Sequence, residues 1–295
     1  MSPTSHPSRG LHRFAIATAV MTFVLLIAGG LVTSTDSGLS VPDWPLSYGT
    51  WFPPMVGGIR FEHTHRMIAG VVGLLIFALA IGLGRTEPRR WVRRLGYSAA
   101  GAVLLQALLG GLTVLLMLPP QVSIAHACLG QTVFCLVVCL ALATSPSWDE
   151  APIRIDDRGR PSLRALSLSV AVMSVFQLFM GAMLRHTGRG VARHISGAVT
   201  LLLLVALAKV RAKRTEALPQ ELRGAVQRLE RLLGTQLLLG MLAFRWREQA
   251  ALVTAHVAVG ALFLAQAVVF AWQVRHFIAA HPAATSAAAS GEAAS

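Results

Sequence analysis

Charge is scarce in this chain: 13% of its 295 residues are charged against 54% hydrophobic, and the mean hydropathy is +0.61. So few polar side chains cannot coat a water-facing surface, which excludes an ordinary soluble domain. Cysteine is nearly missing. The three present, Cys128, Cys135 and Cys139, share one apolar run. A single helix cannot bridge them at those spacings, so no disulfide is expected and buried packing is their reading. No A-x-A cleavage signal closes the first apolar run, which is therefore kept as a helix although Arg9 and Arg13 precede it as in a signal peptide. Acidic residues and broken-helix signals are almost absent inside the apolar runs, which weighs against a transporter.

What is present is apolar length. Runs of about 20 residues cross a ~30 Å hydrocarbon core as helices. Eight are read, at 12–33, 65–84, 96–118, 122–144, 163–184, 191–210, 229–246 and 250–274. The seventh is the shortest in apolar content, Leu232 to Phe244, and needs Arg231 and Arg245 to snorkel at its ends. The formal charge of +13 is not a nucleic-acid signal. Of 26 Lys and Arg, 19 fall on one side if the N-terminus is cytoplasmic (Arg9, Arg13, and those in 85–94, 154–164, 209–231 and 275). The remaining seven are Arg60, Arg66, Arg185, Arg189, Arg193, Arg245 and Arg247. That asymmetry predicts a cell-membrane protein with both termini in the cytoplasm.

The chemistry-bearing stretch is Phe61-Glu62-His63-Thr64-His65-Arg66-Met67-Ile68-Ala69-Gly70, where a polar loop gives way to an apolar helix. Glu62 and His65 share a helical face. Ionisable side chains at the mouth of a membrane helix are costly and mark a site. The same kind of histidine recurs at His126, His194 and His256. Gln106 with Gly110-Gly111, Gln177 with Gly181, and Gln236 with Gly240 precede these three histidines by 20, 17 and 20 residues, counted from the glutamine. The first pair fits if Gly29-Gly30 stands for the glycine motif and 34–61 is an inserted loop. The unit is thus a helical hairpin repeated four times. The fold class predicted is an all-α integral membrane protein, eight transmembrane helices forming two pseudo-symmetric four-helix bundles. They are an N-terminal half 1–144, a linker 145–162 and a C-terminal half 163–275, with an Ala/Ser-rich disordered tail 276–295.

Two even-numbered helices facing each other across a bundle would let their imidazoles hold one iron porphyrin from both sides. The glycines would allow a flat macrocycle or a neighbouring helix close approach. Arg66, Arg185 and Arg193, each near a motif histidine, suit haem propionates. Taken singly, an intramembrane histidine has the alternative of bonding a backbone carbonyl, and the repetition favours ligation. His63 and His186 fall outside the repeat and read as polar neighbours. The three glutamines read as interhelical hydrogen-bond partners. The outer loop, with Trp44, Tyr48, Trp51 and Phe52, reads as an interfacial anchor or as a lid contacting substrate.

The residues Gly38-Leu39-Ser40-Val41-Pro42-Asp43-Trp44-Pro45, Glu62-x-x-His65-Arg66 and the four-histidine plan resemble the haem A synthase family across about 14–275. The resemblance implies haem b held by His194 and His256 in the C-terminal half. It implies haem O bound between His65 and His126 in the N-terminal half, with Glu62 as the catalytic carboxylate. The implied reaction oxidises a porphyrin methyl of haem O to the formyl group of haem A, with water lost from a gem-diol. Implied partners are haem O, O2 or water, an electron donor or acceptor, haem O synthase (the farnesyltransferase), oxidase assembly factors, the lipid bilayer and a second copy of the chain, with no nucleic acid. One departure stands out: many bacterial members carry a cysteine pair in the first outer loop, and this loop has none. The alternatives are a di-haem b-type electron carrier of the quinol/cytochrome b kind, which leaves Glu62 and the loop unexplained, and a transporter.

Overall fold

The computed structural model describes residues 9–149, 157, 159–215 and 218–278. The expected tail, except its first three residues, and residues 150–156 and 158 of the 145–162 linker lie outside these residues, as do His6 and His281. Among the described residues there are eight long helices: α1 (Arg9–Ser34), α2 (Ile59–Thr86), α3 (Arg90–Leu115), α4 (Pro120–Ala143), α5 (Leu163–Thr187), α6 (Val191–Arg214), α7 (Gln220–Arg245) and α8 (Ala250–Phe277). Seven are long and apolar enough to cross a membrane. The exception to the eight expected spans is α7. Its helix begins at Gln220, and Arg223, Arg228, Glu230 and Arg231 occupy its first three turns, so its apolar stretch falls short of a span.

Local sequence sets the helix ends. Pro120 opens α4, where its missing N–H has no intrahelical role. Ser162 caps α5 through a bond from the N–H of Ala165 (3.1 Å), and Asp157 accepts from Leu163 N and Arg164 N at 2.8 and 3.0 Å. Gly188 (φ 68°) and Gly190 (φ 95°) adopt the left-handed conformation that lets α5 turn straight into α6.

Sequential hairpins α1–α2, α3–α4, α5–α6 and α7–α8 pack against each other. α1 then closes on α4 and α5 on α8, which gives two four-helix rings. The rings share a seam of α1 with α8 and of α4 with α5 and α8. Each ring has its own apolar core, centred on Val72, Ile76, Leu79 and Val137 in one and on Leu163, Leu222, Leu229 and Phe270 in the other. A third cluster, with Phe134, Cys135, Ala261 and Leu264, lies in the seam. The cysteines are free thiols on α4, with Cys135 and Cys139 buried.

Because the chain alternates direction, the four motif histidines share one end of the molecule and the arginine-rich turns share the other. At the arginine-rich end Trp148 is 5% exposed and gathers Trp272 (4.7 Å between ring centres), Trp91 (6.2 Å) and a stacked His276 (4.0 Å). This aromatic cluster ties α3 of the first ring to α8 of the second. Arg89 there forks onto Glu87 (2.7 and 3.0 Å) and reaches Ala143 O on α4 (2.8 Å).

Candidate functional site

The repeat read from sequence becomes a repeated contact. In each hairpin the motif histidine rests on a glycine of the preceding helix: His65 on Gly29, His126 on Gly110, His194 on Gly181 and His256 on Gly240. A Cβ on any of these glycines would lie 3.0–3.1 Å from the imidazole Cε1. That is closer than a side chain tolerates without displacing the ring. The second glycines do other work: Gly30 receives Thr254 of α8, and Gly111 receives the indole of Trp44.

The ring centres of His194 and His256 are 6.3 Å apart, with planes crossing at 74°. Two imidazoles sharing one metal at about 2 Å per bond, each ring centre roughly 1 Å behind its nitrogen, sit about 6 Å apart. The buried Nδ1 atoms of His65, His126 and His256 have no hydrogen-bond partner of good geometry. A buried polar nitrogen without a partner is costly unless something else satisfies it. Spacing, unpaired nitrogens and glycine cradles therefore fit a planar iron porphyrin.

The glutamines bond across the helix pairs. Gln106 Nε2 donates to the carbonyl of His126 and Gln177 Nε2 to that of His194, both at 3.0 Å, while Gln236 Nε2 lies 3.3 Å from His256 Nε2.

The outer loop folds down onto the start of α2. Glu62, 3% exposed, accepts from Val41 N through Oε2 (2.8 Å) and from Arg66 Nη2 through Oε1 (2.6 Å). Arg66 also donates to the carbonyls of Asp43 (2.6 Å), Leu46 (2.6 Å) and Val41 (3.1 Å). Four hydrogen bonds thus leave only Nε for any other anion, and the arginine read as a propionate partner is a loop clamp here. Arg185 is exposed and reaches Ser34 Oγ at 3.5 Å, while Arg193 is exposed beside Gly190. His63 is buried against Ser47 Oγ (2.9 Å), as a polar neighbour rather than a member of the histidine pairs. Within the loop the N–H of Gly49 (2.8 Å), joined by that of Tyr48 (2.7 Å), holds the Asp43 carboxyl below its ordinary range and closes the turn. A cavity of about 50 Å³ opens between loop and helix, lined by Ser47, Trp51, His63, Arg66 and Met67 among others. The loop tip stays outside, with Phe52 89% and Trp51 62% exposed.

Sequence reading missed this clamp. The adjacency of Glu62 and Arg66 at i and i+4 was the available signal, but nothing in the sequence specifies which loop carbonyls meet the guanidinium.

Fold and site together define a multi-pass helical membrane protein with paired core histidines beneath an ordered outer loop. The profile of the cytochrome oxidase assembly protein family, COX15-CtaA, matches residues 12–57 and 59–195, and the chain belongs to that family. Relatives include the "Heme A synthase" of Lysinibacillus sphaericus, 30% identical over 61% of this chain and 59% of that protein. Those of Symbiobacterium thermophilum (28%, over 62% of each) and Bacillus pumilus (35%, over 45% of this chain and 44% of that protein) are also similar. The match spans about three fifths of the length of the first two relatives.

Proposed function

We propose that this protein is a haem A synthase, an enzyme oxidising one porphyrin methyl of haem O to the formyl group of haem A for cytochrome oxidase. The observation that carries the reading is the His194–His256 pair, spaced for one metal and repeated in kind at His65 and His126 by the same glycine contact. In this reading His194 and His256 of the C-terminal half, 163–275, hold haem b. His65 and His126 of the N-terminal half, 1–144, hold the substrate. Haem b, when bound, supplies one-electron redox chemistry.

Glu62 lies within one helical turn of His65 and is held by Arg66 and the Val41 N–H. A fixed carboxylate in a water-poor site stabilises positive charge developing on the substrate or accepts its proton. The clamp onto 41–46 holds that carboxylate in place. Arg185 and Arg193 at the same end suit the propionates. O2 or water supplies the oxygen, haem O synthase the substrate, and a separate donor or acceptor the electrons. The positive-inside asymmetry puts the histidine end on the outer face of the cell membrane.

The test is pigment extraction and mass analysis after expression with a haem O supply. Glu62→Gln should retain haem and lose the formyl product. His256→Ala should lose the low-spin haem b spectrum. Haem b alone in the wild type, with no haem O or haem A, would instead favour an electron carrier.

A further inference from the structure

Between Asp43 and Arg60 the outer loop carries no charged residue, and its tip is an apolar run, Trp51-Phe52-Pro53-Pro54-Met55-Val56. Such a run on a water-facing surface is uncommon unless something covers it. Here Phe52 is 89% exposed, and Trp51, Met55 and Val56 are exposed with it. The Arg66 clamp fixes the base of the loop, so the tip is presented outward from a rigid support.

The position of the tip decides what it meets. The seam between the rings is built by α1, α4, α5 and α8, so α2 and α3 lie on the perimeter of the molecule. The loop runs along these two helices. Trp44 seats its indole on Gly111 of α3, and Trp51 shares a cavity wall with Met67 of α2. Met67, Val71 and Leu74 stand at i, i+4 and i+7, share one helical face and are all exposed. In a helix that spans the bilayer, such a face on the perimeter meets lipid. The tip therefore continues the lipid-facing stripe of α2 and does not hang over the gap between the rings.

The backbone of the tip suits a water-poor place as well. An unpaired N–H is costly away from water. Pro53 and Pro54 have none. The N–H groups of Thr50, Phe52, Val56 and Ile59 are bonded inside the loop, to Ser47 O (3.1 Å), Thr50 Oγ1 (3.2 Å), Pro54 O (3.0 Å) and Val56 O (3.1 Å). The next charge, Arg60, is exposed, with its guanidinium 4.8 Å from the centre of the Phe61 ring. A cation at that height suits the lipid phosphates.

We infer that 51–56 is a bilayer anchor: the tip of the outer loop inserts Trp51, Phe52, Met55 and Val56 among the lipid chains of the leaflet at the histidine end. Aromatic side chains favour that boundary. The loop is then held twice, by Arg66 at its base and by lipid at its tip. The cavity lined by Trp51, His63 and Met67 lies at the level of the leaflet. The anchor follows from the membrane fold, whatever the site binds.

Spin-label accessibility tests it. The full-length chain with Phe52→Cys, and with Cys128→Ala to remove the one native thiol that is not buried, is labelled with a nitroxide in phosphatidylcholine–phosphatidylglycerol vesicles. Oxygen concentrates among the acyl chains and relaxes labels there, whereas a water-soluble nickel chelate relaxes labels in water. Leu74→Cys on the lipid face and Arg189→Cys in the exposed turn after α5 set the two limits. Phe52→Cys should match Leu74→Cys, with oxygen prevailing over the chelate. Adding Trp51→Ser, Met55→Ser and Val56→Ser should move the ratio toward the Arg189→Cys limit. A label on Phe52→Cys that the chelate reaches as it reaches Arg189→Cys puts the tip in water and overturns the anchor. One reached by neither reagent is covered by protein, a second copy or a partner, and overturns it too. So does a ratio that the serine replacements leave unmoved, because something other than these side chains then holds the tip.

Discussion

Replacing Arg66 by alanine should release the outer loop. The guanidinium donates four hydrogen bonds at 2.6–3.1 Å, three to loop carbonyls and one to Glu62, whose other oxygen holds Val41 N. Both side chains of the pair are shielded, 13% and 4% exposed, so solvent screening is slight. Removing one partner of a buried ion pair costs about 3–5 kcal/mol, because the other charge stays behind unpaired. The four bonds act as a unit and do not add, so that single figure is the expected loosening. At about 1.4 kcal/mol per factor of ten, exchange of the Val41 amide should accelerate by roughly two to three and a half powers of ten. Hydrogen exchange over peptides covering 38–50, with the arginine-rich end as internal reference, measures it. Arg66→Lys should fall between, since one ammonium cannot span carbonyls that a planar fork reaches together. Exchange within threefold of wild type in Arg66→Ala would show that the loop is held by something else, and the clamp would have to be abandoned.

Gly110→Ala and Gly181→Ala place a methyl 3.0 and 3.1 Å from an imidazole Cε1; each should lower haem content in its own half by about tenfold without unfolding the protein, read by absorbance per chain. Trp148→Ala empties a buried site between four aromatic partners and should cost about 3–5 kcal/mol, seen as a lowered unfolding temperature. At Glu87 burial alone would raise the carboxyl, but the Arg89 bonds outweigh it and the net shift is downward from 4.5. A carboxyl with a lowered folded-state pKa stabilises above its unfolded value and loses that contribution as pH falls below 4.5 toward the folded value. Glu87→Gln should therefore flatten the loss of thermal stability between pH 6 and pH 3.5; an unaltered slope would remove Glu87 from the acid response.

The sequence alone determined the membrane class, because 54% hydrophobic residues in runs of bilayer length leave no soluble alternative. It also determined the hairpin repeat, because glycine and histidine recur at helix-compatible spacings. Periodicity and composition are local properties and survive without coordinates. It could not determine the extent of α7, where a helix continues through charges that a hydropathy reading takes for a loop. Nor could it show that Arg66 grips the loop, because a guanidinium's partners are carbonyls brought near by the path of twenty intervening residues, and every residue has a carbonyl.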